Sequence, residues 1–149
     1  MSKIHRRALA CTFVLTLLAF AAPALAAPPT LVGSWEAVAS IDGNPIEDFL
    51  LETYSLDRTF VASGPRADST IAHGAWKRVG ARTFETAFVI LLYNPDSTLA
   101  ARLRGSTEVE VSLDGETYDG VLTSVLTAAD GTLIGSFTGT VEGTRISVD

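Results

Sequence analysis

The sequence predicts an all-β protein, an antiparallel up-and-down barrel of about eight strands with one short helical turn near residues 46–51. Three observations carry this. Apolar and polar residues alternate in segment after segment, the segments are divided by short turns rich in Asp, Gly, Asn and Pro, and helical spacing occurs only once. A meander of local hairpins closes into a barrel or packs as a sandwich, and hairpins throughout favour the barrel.

The elements follow from the N-terminus. Met1 to Arg7 carries Lys3, Arg6 and Arg7, Ala8 to Phe20 is almost wholly apolar, and Ala24-Leu25-Ala26 has the small-x-small pattern of a signal-peptidase site. Residues 1–26 therefore read as a cleaved signal peptide, residues 27–149 as one barrel domain, and the destination as secreted or periplasmic. The apolar run is shorter than the roughly 20 residues of a membrane span, so no stable membrane anchor is expected.

Leu31 to Ile41 has period two, with Trp35, Ala37, Ala39 and Ile41 on one face, and Asp42-Gly43-Asn44-Pro45 stops it. In the next segment Ile46, Phe49 and Leu50 stand at i, i+3 and i+4, which predicts the helical turn. Thr53 to Leu56 and Thr59 to Ser63 flank Asp57-Arg58 as a hairpin, and Gly64 to Ser69 is a loop. Ile71 to Val79 turns at Gly80-Ala81 into Arg82 to Tyr93, where Phe84, Thr86, Phe88, Ile90 and Leu92 share a face. From Thr98 to Leu113 the odd positions are largely apolar and the even ones largely polar or charged, an inside and an outside, with Gly105 where a curved strand would kink. Asp114-Gly115 leads into Glu116 to Thr127, Ala129-Asp130-Gly131 into Thr132 to Val141, and a bend at Gly143 into Thr144 to Val148. Parity assigns Trp35, Phe84, Phe88, Val109, Val111, Val121, Leu133 and Phe137 to the interior.

Gly33-x-Trp35 at the start of the first strand and Arg145 near the chain end resemble the lipocalins and the wider calycin superfamily of ligand-binding β-barrels. The resemblance implies that Arg145 lies across Trp35 and closes the barrel floor.

Chemistry is narrowed mainly by what the residues lack. The single cysteine, Cys11, lies in the leader, so the mature chain forms no disulfide within itself. His73 has no partners at metal-ligand spacing, so neither a metal site nor a cofactor is expected. Gly-x-Ser-x-Gly and a phosphate-binding glycine loop are both missing. His73, alone on a strand, reads as structural or exposed, and no catalytic residue is assigned. The formal charge of −6 includes three leader cations, so the mature chain is more acidic still and nucleic acid is a poor partner. Arg102, Arg104, Glu108 and Glu110 read as an outer surface of cross-strand ion pairs.

Concave sites are mainly apolar with a few placed polar groups, which makes the aromatics Trp35, Tyr54, Phe60, Trp76, Phe84, Phe88 and Tyr118 the candidate ligand-binding residues. The same rings would equally fill a core. The expected function is binding of a small apolar ligand or a protein partner, more in keeping with a binding protein than an enzyme. The alternative is a cofactor-free isomerase or cyclase similar to the allene-oxide-cyclase-like barrels. Val89, Leu91 and Tyr93 would face outward and either pair two copies as a homodimer or lie under the Ile46 to Leu51 turn.

Overall fold

A computed structural model describes residues 27–41 and 44–148, the side chains of 44–48 excepted; the signal peptide read over 1–26 lies outside the described residues. Eight antiparallel strands, β1 (Gly33–Ile41), β2 (Asn44–Tyr54), β3 (Thr59–Ser63), β4 (Ala72–Arg78), β5 (Thr83–Tyr93), β6 (Leu99–Val111), β7 (Thr117–Ala128) and β8 (Leu133–Arg145), form a closed barrel in sequence order. Each strand pairs with its chain neighbours, and β8 returns to β1 with Trp35 opposite Arg145.

Four of the hairpins share one local device. In Asp57-Arg58-Thr59, Asp96-Ser97-Thr98, Asp114-Gly115-Glu116 and Asp130-Gly131-Thr132, the carboxylate accepts the backbone N–H two residues on, at 2.9 to 3.1 Å. Hydrogen bonds within the turns hold all four carboxyls below their ordinary pKa range, the backbone N–H contributing most at Asp57 and Asp130, and the Thr98 and Ser112 hydroxyls most at Asp96 and Asp114. The middle residue takes a left-handed conformation, with φ between 65 and 91°, which returns the chain in a tight hairpin of fixed register.

Register then decides which side chains are inside. Trp35, Ala37, Ala39, Tyr54, Phe60, Ala62, Ala72, Phe84, Val109, Val111, Tyr118 and Val141 are buried within the barrel. Two expected members are not. Val121 is 57% exposed and Leu133 62% exposed. In β7 the even positions point inward, from Tyr118 to Leu122 and Ser124, and Val121 stands an odd number of residues from Tyr118. A register shift at Leu126/Thr127 puts Leu133 opposite the outward Thr127. Phe137 keeps the inward parity of Gly139 and Val141 but sits near the barrel mouth.

The helical turn near 46–51 is also corrected. Residues 44–54 form one strand paired with β1 on one side and β3 on the other. The spacing of Ile46, Phe49 and Leu50 imitated a helix because Asp48 and Glu52, two residues to either side of Leu50, break the apolar alternation while the outward Phe49 stands beside it. Phe49 and Leu51 face outward. This strand does not pair with β5, so it cannot cover Val89 and Leu91; those two are half-buried in a row shared with His73, Arg102 and Arg104. The end of β5 is instead flanked by the β3–β4 loop, with Tyr93 N–H donating to Asp68 O at 2.8 Å and Thr70 N–H to Leu91 O at 2.9 Å.

Arg102, Arg104, Glu108 and Glu110 do face outward, but among the described residues only Glu110 of the four is in a cross-strand ion pair. Arg104 stands opposite Val89 and Val125, and Glu108 opposite Glu85 and Val121. The outer ion pairs among the described strand residues are Lys77–Glu85, at 2.6 Å, and Arg82–Glu110. Gly105 and Gly143, expected as a kink and a bend, lie within continuous strands and serve as seats for rings. A Cβ at Gly105 would fall 2.2 Å from Phe88 Cζ, and one at Gly143 2.3 Å from Tyr118 Cε1.

Candidate functional site: a floored barrel with an acid at the base of its cavity

One end of the barrel is sealed by the segment that leads into β1. Its successive carbonyls are all taken by side chains. Pro29 O accepts from Arg78 Nη2 (2.6 Å), Thr30 O from Arg145 Nη2 (2.6 Å), Leu31 O from Trp35 Nε1 (2.9 Å) and Val32 O from Arg145 Nη1 (2.8 Å). Arg78 is on β4 and Arg145 on β8, opposite walls of an eight-strand ring, so the segment is strapped across the floor. Leu31, fully buried, plugs it.

Both arginines lie over aromatic faces, Arg145 Cζ at 4.2 Å from the Trp35 ring centre and Arg78 Cζ at 4.6 Å from that of Phe84. A guanidinium so placed keeps its in-plane N–H groups free for carbonyls while its face meets the ring. Arg145 Nε donates to Gly115 O at 2.7 Å as well. Gly33 makes room for this. Its φ is +138°, and a Cβ there would lie 2.5 Å from Arg145 Nη1, so glycine two residues before Trp35 is a steric requirement.

Above the floor the seven candidate aromatics form one connected set. Trp35 meets Tyr118 edge-on at 5.0 Å, Tyr54 meets Phe60 (4.8 Å) and Trp76 (6.3 Å), Trp76 meets Phe84 (5.9 Å), and Phe60 meets Phe88 (5.8 Å). The two groups are joined through Glu52. Tyr118 Oη–H donates to Glu52 Oε2 at 2.5 Å and Tyr54 Oη–H to the same oxygen at 2.8 Å.

Glu52 is 4% exposed and stands between Trp35 on β1 and Ala62 on β3. Burial pushes its carboxyl above the ordinary range, and the Tyr118 and Tyr54 hydrogen bonds, which favour the ionised form, do not offset this. Burial and the adjacent Glu52 also push both phenols up, so they remain donors. The Thr86 hydroxyl leans toward Tyr54 without completing a hydrogen bond.

Over Glu52 the barrel is hollow. A cavity of about 130 Å³ is bounded by Ile41, Leu50, Phe60, Phe88, Ile90 and Leu122 among other apolar walls, with the β3–β4 loop at its rim. Three polar side chains reach it from the strands, Glu52 on β2, Thr107 on β6 and Ser124 on β7, and Arg66, Ser69 and Thr70 of the β3–β4 loop border its rim. Thr107 Oγ1 and Ser124 Oγ are buried and meet no protein partner. Since β2 and β6 are opposite in the ring, polar groups enter this cavity from both sides.

Of the seven aromatics, Phe60 and Phe88 line the cavity, while Trp35, Tyr54, Trp76, Phe84 and Tyr118 pack into the half beneath it. Filling and hollowness thus divide the barrel by height. His73 is outward and exposed on β4. Among the described residues no three His, Cys, Asp or Glu side chains converge as metal ligands. Sequence reasoning missed Glu52, Thr107 and Ser124. The usable signal for the first was an acid two residues before Tyr54 in a strand; a hydroxyl in an inward row carries no comparable mark.

Neutralising Glu52 isosterically gives a pH test. Below the carboxyl's unfolded pKa both states hold the proton, and the stabilising contribution is complete. As pH rises the unfolded chain ionises first, so this contribution is lost until the raised folded pKa is passed. Glu52→Gln carries no such proton, and its unfolding free energy should therefore gain on that of the unaltered protein as the pH rises from the ordinary carboxylate range, about pH 4, toward the raised folded value. Urea titrations of both at each pH measure it, and parallel pH profiles would contradict a raised carboxyl. No protein-family model, no curated protein and no solved structure matches the chain.

Proposed function

We propose that the protein binds a small, mainly apolar molecule in the upper half of its barrel. The observation that carries this is the cavity itself: apolar walls with buried polar groups of which two lack protein partners. Interiors are otherwise close-packed and satisfied, and a hollow with spare hydrogen-bonding groups is the form a ligand site takes. The volume is on the order of the 150 Å³ that holds one benzene, so one small ring or a short branched chain fits. We read the closed floor, with Trp35 beneath Arg145, as calycin-like architecture, and the chain as exported to the periplasm or beyond.

Native mass spectrometry of protein purified from its own host tests the reading, together with thermal unfolding in the presence of toluene. A co-purifying apolar mass, or a melting temperature that rises with toluene concentration, is the expected result. Protein that carries nothing and is unmoved by toluene would overturn it. The buried acid favours a second reading, cofactor-free isomerase or cyclase chemistry, in which Glu52 would give a proton to the bound molecule and regain one as the product forms; a bound molecule whose chromatographic retention changes at constant mass on incubation with the unaltered protein and not with Glu52→Gln would select it.

A further inference from the structure

The binding reading leaves open what kind of polar end the ligand carries, and the arrangement around Glu52 speaks to that. Both phenols donate into Oε2, which fills that oxygen, and among the described residues no hydrogen bond reaches Oε1. Among the described residues no cation pairs with the carboxyl. Its cross-strand neighbours are Trp35 and Ala62, the Arg145 donors are committed to the carbonyls of Gly115, Val32 and Thr30, and Arg66 at the rim is paired with Asp68 at 3.2 Å. A carboxyl buried without a cation is held in its protonated form, and with Oε2 already accepting twice the proton belongs on Oε1.

We propose that the ligand ends in a neutral hydrogen-bond acceptor, a ketone, aldehyde or ester carbonyl, and that Glu52 Oε1–H donates to it while the unpartnered hydroxyls of Thr107 and Ser124 donate from the other wall. This inference rests on the binding reading above. The alternatives fail on charge or satisfaction. A carboxylate ligand would meet, among the described residues, a single cation, Arg66 at the rim, whose charge is already shared with Asp68, and an ammonium ligand would meet a carboxyl that is held protonated; either would be stripped of water at a cost those partners do not offset. A pure hydrocarbon would leave the acid proton and both hydroxyls without partners and so bind more weakly than an acceptor of the same shape. A carbonyl oxygen has two lone pairs and meets several donors at once.

Cyclohexane, cyclohexanone and cyclohexylammonium share a ring that matches the cavity and differ in the property at issue. Calorimetric titration of the unaltered protein should give cyclohexanone an affinity roughly three- to tenfold above that of cyclohexane, the range of one or two net hydrogen bonds. The carbonyl stretch of bound cyclohexanone should lie below its frequency in hexane. Glu52→Leu should cut the preference to what the Thr107 and Ser124 hydroxyls still give, and Glu52→Gln, whose amide still donates, should keep most of it. Equal affinities with a carbonyl band as in hexane would overturn the acceptor inference and leave binding intact. Preferred binding of cyclohexylammonium would overturn it too, by showing Glu52 ionised. Failure of all three to bind would remove this inference and the binding reading together. The infrared reading needs no variant, so it decides the matter even if Glu52→Leu does not fold.

Discussion

Trp35→Ala should remove about 3 to 5 kcal/mol of folding stability, the range for deleting a fully buried large aromatic, and the loss should come with a detached floor. The indole is fully buried, is packed on by Tyr118 and Arg145, and its N–H holds Leu31 O. Alanine deletes all three contacts, and the cation–π contact alone contributes on the order of 0.5 to 2 kcal/mol. Against a total stability of roughly 5 to 15 kcal/mol for a domain this is a large fraction. Urea unfolding measures the first effect, and limited proteolysis before Gly33 the second. A loss under about 1 kcal/mol would mean that the strap is held without the indole.

Phe88→Ala should lose about 3 kcal/mol, the low end of the range for Phe because the ring is only partly buried, and should also change what the cavity accepts. The ring sits on Gly105 and against Phe60 and forms one wall of the 130 Å³ space, so its removal adds ring volume to a cavity that already exists. The variant should then be stabilised by naphthalene, whereas the unaltered protein should respond to toluene and not to naphthalene. Thermal unfolding with each compound measures this. Unchanged stability would mean that the ring does not pack as described, and a loss without any gain in ligand size would mean that its volume is not continuous with the cavity.

How far the sequence disclosed this molecule depended on which residues mark a face. β1, β5 and most of β6 carry large apolar side chains inward, so alternation alone oriented them. Three of the four Asp-based turns were visible as Asp57-Arg58, Asp114-Gly115 and Asp130-Gly131, because a carboxylate that accepts an N–H two residues on is a local event. β7 was harder. Its inward row runs Tyr118, Gly120, Leu122, Ser124, with a glycine and a serine where bulk was expected, while Val121 and Val125 face outward, and parity judged by hydrophobicity chose the wrong valine. β2 failed for the same reason, since its inward row carries an acid, Glu52, which shares the parity of Tyr54 but is satisfied by Tyr118 from the far side of β1. Polar groups that are satisfied or used inside a core are invisible to patterning, and they are the ones that define the cavity.

The strapped floor also fixes how the molecule can be tethered. Residues 29–32 cross the barrel end bounded by Arg78 and Arg145, and the chain's other end leaves from the same side, where Ile146 N–H bonds to Ser34 O and Arg145 N–H to Glu116 O. Anything joined on either side, whether a linker, a second domain or a surface, therefore attaches behind the cavity, and the mouth framed by the β3–β4 loop faces away from the point of attachment.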